Sequence, residues 1–457
     1  MNTLASAASA PLSGPSRFRV LGAAGVAALG GFLFGFDTAV ISGTTGALKT
    51  LYGLTGNELG FTVASGLIGT ILGSLLASAP SERFGRRPVL RAVALLFLVA
   101  SLGCGLALGW PMLVAARFLG GIAVGAASVV SPMYIAEISP APWRGRLVAV
   151  AQLNVVLGIL VAYLSNWGIA QLALPGELSW RWMLGIQALP SALFFVLLYT
   201  IPESPRWLAK QGLVDAAGRV LARLGHADPT AELAEIRASL AGESAAHRAP
   251  LFRRALALPV TATILVATFN QISGINALIY YAADIFAMAG SSRDSALLQS
   301  VAIGGANLLG CLLAMTIIDR VGRRPLLIIG GIACALCLGG TAWAFHQPVA
   351  DGRLLLSCLI GFIFFFSFSQ GAVIWVFISE IFPNTVRAKG QALGSFTHWF
   401  WAAVVSWSFP IIAEHARVEV FVFSAAMMAL QAVLAWRLMP ETKGQSLEQL
   451  GQRIAGH

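Results

Sequence analysis

Apolar residues run through this chain in long blocks, and the polar positions gather between the blocks instead of alternating with the apolar ones. A helix needs about 20 mostly apolar residues to cross a bilayer core roughly 30 Å thick, at about 1.5 Å of rise per residue. Blocks of that length cover 18–46, 59–80, 88–108, 112–136, 147–171, 182–201, 256–288, 296–318, 325–345, 354–379, 390–413 and 418–438. No solvent inside a bilayer satisfies backbone amides, so runs this long read as helices. The pattern predicts an all-α membrane protein of twelve transmembrane helices.

The polar stretches divide the chain. Residues 1–17 begin with small residues that precede an apolar core, whereas a signal-peptidase site would follow one, so they read as a disordered cytoplasmic tail. Residues 204–255 combine helical periodicity with charged faces, as in WLAKQGLVDAAGRVLARLG, and read as a cytoplasmic helical linker. The linker separates six spans in 18–203 from six in 256–439, and 440–457 form a second cytoplasmic tail.

Composition agrees. Of 457 residues, 57% are hydrophobic and 11% charged, against roughly 25% charged in soluble domains. Mean hydropathy is +0.78. A net charge of +10 raises the question of nucleic acid, and the placement of the positives answers it. Loops on one side hold Lys49, Arg181, Arg293, Arg353 and Arg417, while nearly all other Lys and Arg fall on the opposite side. This is the positive-inside bias, which places both termini in the cytoplasm and gives the charge a topological role in the lipid bilayer. Five cysteines all lie in apolar blocks; Cys334 and Cys337 have CxxC spacing without a second pair or a nearby histidine, so they read as packing residues and no metal is expected. No span carries a nucleophile–base pair, which argues against an enzyme, and no cofactor is expected.

Three signatures occur twice. ERFGRRP at 82–88 recurs as DRVGRRP at 319–325; YIAEISP around Glu137 recurs as FISEIFP around Glu380; PESPR at 202–206 recurs as PETKG at 440–444. Gly85 and Gly322, Glu137 and Glu380, Glu203 and Glu441 are thus separated by nearly the same offset, which indicates two homologous six-helix halves. Two such halves about an axis normal to the membrane make a transporter architecture, with the substrate between them near the midplane. The charges of the repeats are expected to form a cytoplasmic gate, as ion pairs between cytoplasmic helix ends made when the inside gate is shut. There Glu82, Glu137, Asp319 and Glu380 would pair with Arg83, Arg87, Arg144, Arg320, Arg324 and Arg387. Exposed pairs worth about 0–1 kcal/mol each suit contacts that break in every cycle.

Only Asp37, in FLFGFDTAVISG, and Arg117 are charged residues placed well inside spans. A carboxylate at a helix centre costs about 2.5–3.5 kcal/mol on insertion scales, which makes it a functional candidate with a partner to be named. A proton switch is the favoured reading: Asp37 would take up a proton when Arg117 retreats and release it when Arg117 returns. A permanent structural salt bridge is the alternative.

FGFDTAVISG, RFLGGIAVG with PMYIAEISP and RGR, PESPRWL, QISGINALIYY, the two GRRP loops, WVFISEIFP and PETKG run in order over essentially the whole chain. Together they resemble the sugar porter family of the major facilitator superfamily, and most of all its bacterial proton-coupled, xylose-type members. The resemblance implies twelve helices in two pseudo-symmetric six-helix bundles, alternating access, and a monosaccharide carried across a bacterial inner membrane by a monomer. It also implies proton coupling, since the proton-coupled members carry Asp where Asp37 stands. Chemistry and resemblance together place the sugar. Amides both donate and accept, and aromatic faces cover C–H surface. Gln152, Asn270, Gln271, Asn276, Asn307, Gln370, Trp375, His398 and Trp399 are therefore the candidate sugar contacts, with Tyr280 and Tyr281 as an extracellular gate. On a regular helix Gln271 and Asn276 point about 140° apart, so the helix must open at Ser273-Gly274 for both to face one ligand. Four positions depart from the family. Gln187 stands where the xylose-type members have an acid, Asn270 where Gln is common, His398 for an amide, and Gln370 for a ring. The resulting expectation is a proton-coupled monosaccharide importer. A facilitative uniporter with Asp37 locked to Arg117, and more remotely a sugar-sensing receptor on the same fold, are the alternatives.

Overall fold

Within the computed structural model, residues 14–175, 177–246, 250–383, 386–441 and 443 are described. Most of the two expected tails therefore lies outside the described residues, as does the side chain of Asp319.

The apolar blocks fold as helices throughout. Spans 1 to 6 are Phe18–Gly43, Gly56–Leu76, Arg86–Gly105, Trp110–Ile138, Trp143–Gln171 and Leu178–Leu197. Spans 7 to 10 are Ala257–Met288, Arg293–Ile318, Arg323–His346 and Gly352–Ile381, and span 12 is Arg417–Leu438. Span 11, Arg387–Ala413, is 27 residues long but is not among the eleven helices apolar enough to qualify on hydropathy alone. Its polar residues explain this, because Thr397, His398 and Ser406 are buried and face protein, not lipid. Local chemistry sets several ends: Thr55 and Glu58 form a reciprocal capping box at the start of span 2, and Asp351 accepts from Arg353 and Leu354 N–H at the start of span 10.

Small residues decide which helices touch. A Cβ on Gly121 or Gly125 of span 4 would overlap the backbone of Gly66 or Thr70 in span 2, so glycine is what allows these two helices to pack backbone to backbone. Spans 1 and 5 meet in the same manner. The two six-span bundles contact each other mainly through spans 2 and 11 and through spans 5 and 8.

Residues 204–255 contain the short helices Pro205–Lys210, Val214–Leu224 and Pro229–Ala246. They dock under the first bundle: Arg19 donates to Arg223 O at 3.1 Å, Trp207 Nε1 to Glu82 O at 2.8 Å, and His226 Nε2 lies 3.2 Å from Ile138 O. This end of the molecule is called the linker face, and the opposite end the far face.

Candidate functional site

Three departures from regular helix shape the centre. Span 7 stops at Ile272 and restarts at Ile275, with Gly274 left-handed at φ 83°. Tyr281 (φ −122°, ψ 23°) kinks the second piece. In span 10, Ser367–Gly371 form a π-helical turn, a device that frequently re-aims side chains at functional sites.

The break in span 7 brings its amides together. Asn276 Nδ2 donates to Gln271 Oε1 at 2.6 Å, Gln271 Nε2 donates to Asn270 Oδ1 at 2.9 Å, and the same nitrogen lies 3.2 Å from both ring nitrogens of His398. The His398 ring sits 4.9 Å from Trp375 and 4.9 Å from Trp399, and Trp399 packs 5.6 Å from Phe34 of the first bundle. Six expected contacts thus form one amide-and-ring cluster between the bundles. Asn307 stands apart from this cluster and accepts from Ser367 Oγ at 2.5 Å.

Two expectations are corrected in their geometry. Gln370 is fully enclosed: its Oε1 accepts from Gln431 Nε2 at 2.7 Å and its Nε2 donates to Leu327 O at 3.4 Å. The π-helical turn carries it into the interior of the second bundle, where both ends of its amide bond to protein. Gln152 on span 5 is exposed, and does not pack into the cluster. The tyrosine pair also divides. Tyr280 lies against Thr38 of the first bundle, whereas Tyr281 donates to Ser406 O at 2.9 Å inside its own bundle and stacks on Phe409. The kink at Tyr281 turns the two rings to opposite sides.

Asp37 and Arg117 do meet. Arg117 Nη1 lies 3.6 Å from Asp37 Oδ2 and 3.5 Å from Asp37 O, with the side chains 2% and 15% exposed for Arg117 and Asp37. Charge-assisted bonds are usually about 2.7–2.9 Å long, so this pair is loose, and Arg117 Nε has no partner. Gln187 lies beside the Asp37 carboxylate, and its Nε2 donates to Leu33 O at 3.4 Å. Tyr280 reaches Thr38, one residue along from Asp37, so the ion pair and the second bundle join through adjacent residues.

At the linker face the repeats form twin clasps built on Arg86 and Arg323, which the expected gate did not include. Arg86 binds Glu137 through Nε at 2.9 Å and Nη2 at 2.8 Å; Arg323 binds Glu380 through Nε at 3.0 Å and Nη2 at 2.8 Å. Glu203 accepts the Arg86 N–H at 3.0 Å, and Glu441 accepts the Arg323 N–H at 3.0 Å, each capping a helix start where backbone dipoles favour an anion. Glu82 bonds Arg86 at 2.7 Å and also Lys210 of the linker. The expected partners do other work. Arg87 donates to Leu198 O and Tyr199 O, Arg324 to Trp436 O, and Arg144 to Ala136 O, while Arg83 lies over the Phe84 ring. Arg320 offers its carbonyl to Lys443, and Arg387 Nε and Nη2 are sealed without a partner. The reason is the turn: Gly85 (φ 98°) and Gly322 (φ 100°) swing the first arginine of each GRR back under the bundle. The signal was in the repeats, since Arg86, Arg323, Glu203 and Glu441 all recur with them. Burial pushes the Glu203 carboxyl up, although N–H groups of Ser204, Arg87 and Arg86 oppose the shift. Glu82 is also pushed up by burial, but Lys210 and Arg86 outweigh that and hold it below the ordinary range.

At the far face the bundles are joined directly. Lys49 pairs with Glu414 at 2.5 Å, Trp407 Nε1 donates to Asn57 at 2.9 Å, Gln171 bonds Asp294, and Tyr163 donates to Ile279 O at 2.7 Å. Among the described residues, the linker-face pairs of Arg86 with Glu82 and Glu137 and of Arg323 with Glu380 run within one bundle, and Lys210 with Glu82 ties the linker to the first. The far face is closed.

Residues 23–453 match the family model described as sugar (and other) transporter. The chain belongs to that family. It is 37% identical to the D-xylose-proton symporter of Escherichia coli (strain K12) over 93% of this chain and 94% of that protein. It is 35% identical to the arabinose-proton symporter of Bacillus subtilis (strain 168) over 93% and 92%. The transporter superposes on the inward-open conformation of the xylose transporter XylE from E. coli with a TM-score of 0.84, at 35% identity and covering 95% of this chain and 99% of that one. Against XylE bound to 6-bromo-6-deoxy-D-glucose the TM-score is 0.78, at 36% identity over 96% and 99%. The better match to an inward-open structure agrees with the closed far face. The fold is thus two six-helix bundles of the major facilitator type, and the protein is a membrane transporter and not an enzyme.

Proposed function

We propose that this protein imports a monosaccharide together with a proton by alternating access, with the linker face cytoplasmic, in a bacterial inner membrane. The observation that carries the reading is a loose Asp37–Arg117 pair, 3.6 Å long and nearly sealed, next to residues that touch the second bundle. A locked structural bridge would use short, multiple bonds from both guanidinium edges; here one nitrogen engages and Nε has no partner. Asp37 is the proton carrier and Arg117 its counter-charge, and rocking of the bundles changes their separation. Gln187 is a neutral neighbour of Asp37, so coupling here runs on one acid at that point.

The sugar binds where Asn270, Gln271, Asn276, His398, Trp375 and Trp399 converge, with Asn307 and Gln152 contributing when the bundles close on it. In the structure these amides bond to one another, so a polyhydroxylated ligand replaces amide–amide bonds with amide–hydroxyl bonds at little net cost. Tyr280 is the residue of the tyrosine pair that seals the far side. The similar proteins include xylose and arabinose symporters, which supports an aldopentose as the first sugar to test.

The test is uptake of labelled D-xylose and L-arabinose, then a hexose panel, into proteoliposomes with and without a proton gradient. Symport predicts gradient-driven accumulation and alkalinisation outside on adding sugar. Asp37→Asn is expected to abolish accumulation while retaining sugar exchange. Accumulation that survives Asp37→Asn, or uptake indifferent to the gradient, would overturn the proton role.

A further inference from the structure

A second carboxylate, half-buried, lies at the closed far face, outside the mechanism described above. Asp284 lies on the second piece of span 7, past the Tyr281 kink, and faces the short helix Thr45–Tyr52 that follows span 1. Its neighbours cross between the bundles: its Oδ1 would lie 4.0 Å from a Cβ on Gly46, and Lys49 is the cation acting on it. One residue away, Ala283 N–H donates to Ser42 Oγ at 3.3 Å, so this turn of span 7 is clamped against the first bundle. Asp284 Oδ2 is sealed from solvent and has no hydrogen-bond partner.

The nearest cation is committed elsewhere. Lys49 pairs with Glu414, at the end of span 11, at 2.5 Å. Glu414 in turn abuts Gly56 at the start of span 2, where a Cβ would lie 3.0 Å from its Oε2, so a helix N-terminus also favours the glutamate. Other charged groups near this end of span 7 are also engaged. Asp294 of span 8 is bonded to Gln171, and Arg417 of span 12 reaches Met288 O at 3.5 Å. Tyr281, on the same helix, donates to Ser406 O. With the far face shut, Asp284 is thus half-buried, with one carboxylate oxygen sealed away from water and no hydrogen-bond partner for it. A carboxylate in that position is costly unless it gains a cation of its own.

We propose that Asp284 is a second proton-binding site of this transporter, taking a proton from the far-side solution as that face shuts and returning it there as the face opens. The proton leaves by the side from which it came, so the site adds nothing to the protons carried per sugar. It makes closure depend on far-side pH, and acid favours the shut state. The proposal rests on alternating access but not on Asp37 as carrier.

The experiment measures the distance across the far face by spin labels at Leu108→Cys and Val349→Cys, positions 92% and 85% exposed on the two bundles. The native cysteines are replaced by alanine, and the protein is held in nanodiscs carrying Asp37→Asn, which removes the proton carrier of the main reading. From about pH 8 to about pH 5 the shut-to-open ratio is expected to rise roughly tenfold. Adding Asp284→Asn, which keeps size and hydrogen-bonding capacity, is expected to flatten the profile to under about twofold with the shut state favoured throughout. Lys49→Ala is expected to move the profile to higher pH. No pH response in the Asp37→Asn protein, or a response that Asp284→Asn leaves unchanged, would overturn the assignment while leaving the transport reading to its own test.

Discussion

Gln271 bonds to Asn270 and Asn276 and lies against His398, all within the stretch where span 7 is broken. Its loss should cost more than the loss of any single neighbour, because truncation leaves several buried polar atoms unpaired at about 1–3 kcal/mol each. We expect Gln271→Ala to weaken sugar binding by about tenfold to a hundredfold, and Asn276→Ala by about tenfold or less, with membrane insertion intact. Equilibrium binding of labelled D-xylose to purified protein checks this, and Gln370→Ala is the contrast. Because Gln370 bonds only to protein at both ends of its side chain, that substitution should lower thermal stability and leave affinity nearly unchanged. These residue-level roles were only partly legible in sequence. The types were, since amides are scarce in the spans; the direction of Gln370 was not, because a π-helical turn shifts every later side chain around the helix.

The GRR turns set the geometry of the elements at the linker face. Gly85 has φ 98° and ψ 165°, and Gly322 φ 100° and ψ 167°, a region that side chains other than glycine avoid. A Cβ at Gly85 would also lie 2.5 Å from Glu203 Oε2. Gly85→Ala and Gly322→Ala should each destabilise the fold by about 1–3 kcal/mol, read as a lower unfolding temperature in detergent. The sequence pointed to this turn through the repeat, but not to Arg86 and Arg323 as the arginines that hold Glu137 and Glu380 while the far face is shut, because spacing along the chain does not reveal which way a left-handed glycine turns it. Glu82 adds a pH prediction. Its folded carboxyl is held below its ordinary value of 4.5 by Lys210 and Arg86. Its contribution to docking the linker helix Pro205–Lys210 is therefore complete above that value and lost as pH falls through the lower, folded one. Hydrogen exchange in that helix should quicken in acid relative to Glu82→Gln measured at the same pH, where this component is already missing.

For the whole molecule, the closed far face depends on close backbone approach as well as on charge. A Cβ on Gly60 of span 2 would overlap Trp407 O of span 11, and one on Gly304 of span 8 would sit 3.0 Å from Leu160 Cα of span 5. These are the two helix pairs through which the bundles mainly touch. Gly60→Val should therefore keep the far face open and slow transport several-fold without unfolding the protein. Enhanced labelling of a cysteine placed at Asn57, whose side chain now accepts from Trp407, would report the open state.

The periodicity of apolar blocks settled the twelve helices, because a bilayer leaves a long apolar segment no other way to satisfy its backbone. The duplicated motifs settled the two bundles, since equal spacing of three separate signatures requires a duplicated chain. Even span 11, too polar for a hydropathy threshold, was legible from its length. Tertiary structure alone decided which charges pair, which tyrosine crosses between bundles, which amide faces inward, and which face is shut. Those outcomes depend on a few backbone angles at Gly85, Gly274, Gly322 and Tyr281, and on packing between distant helices. Neither leaves a periodic trace in the order of residues.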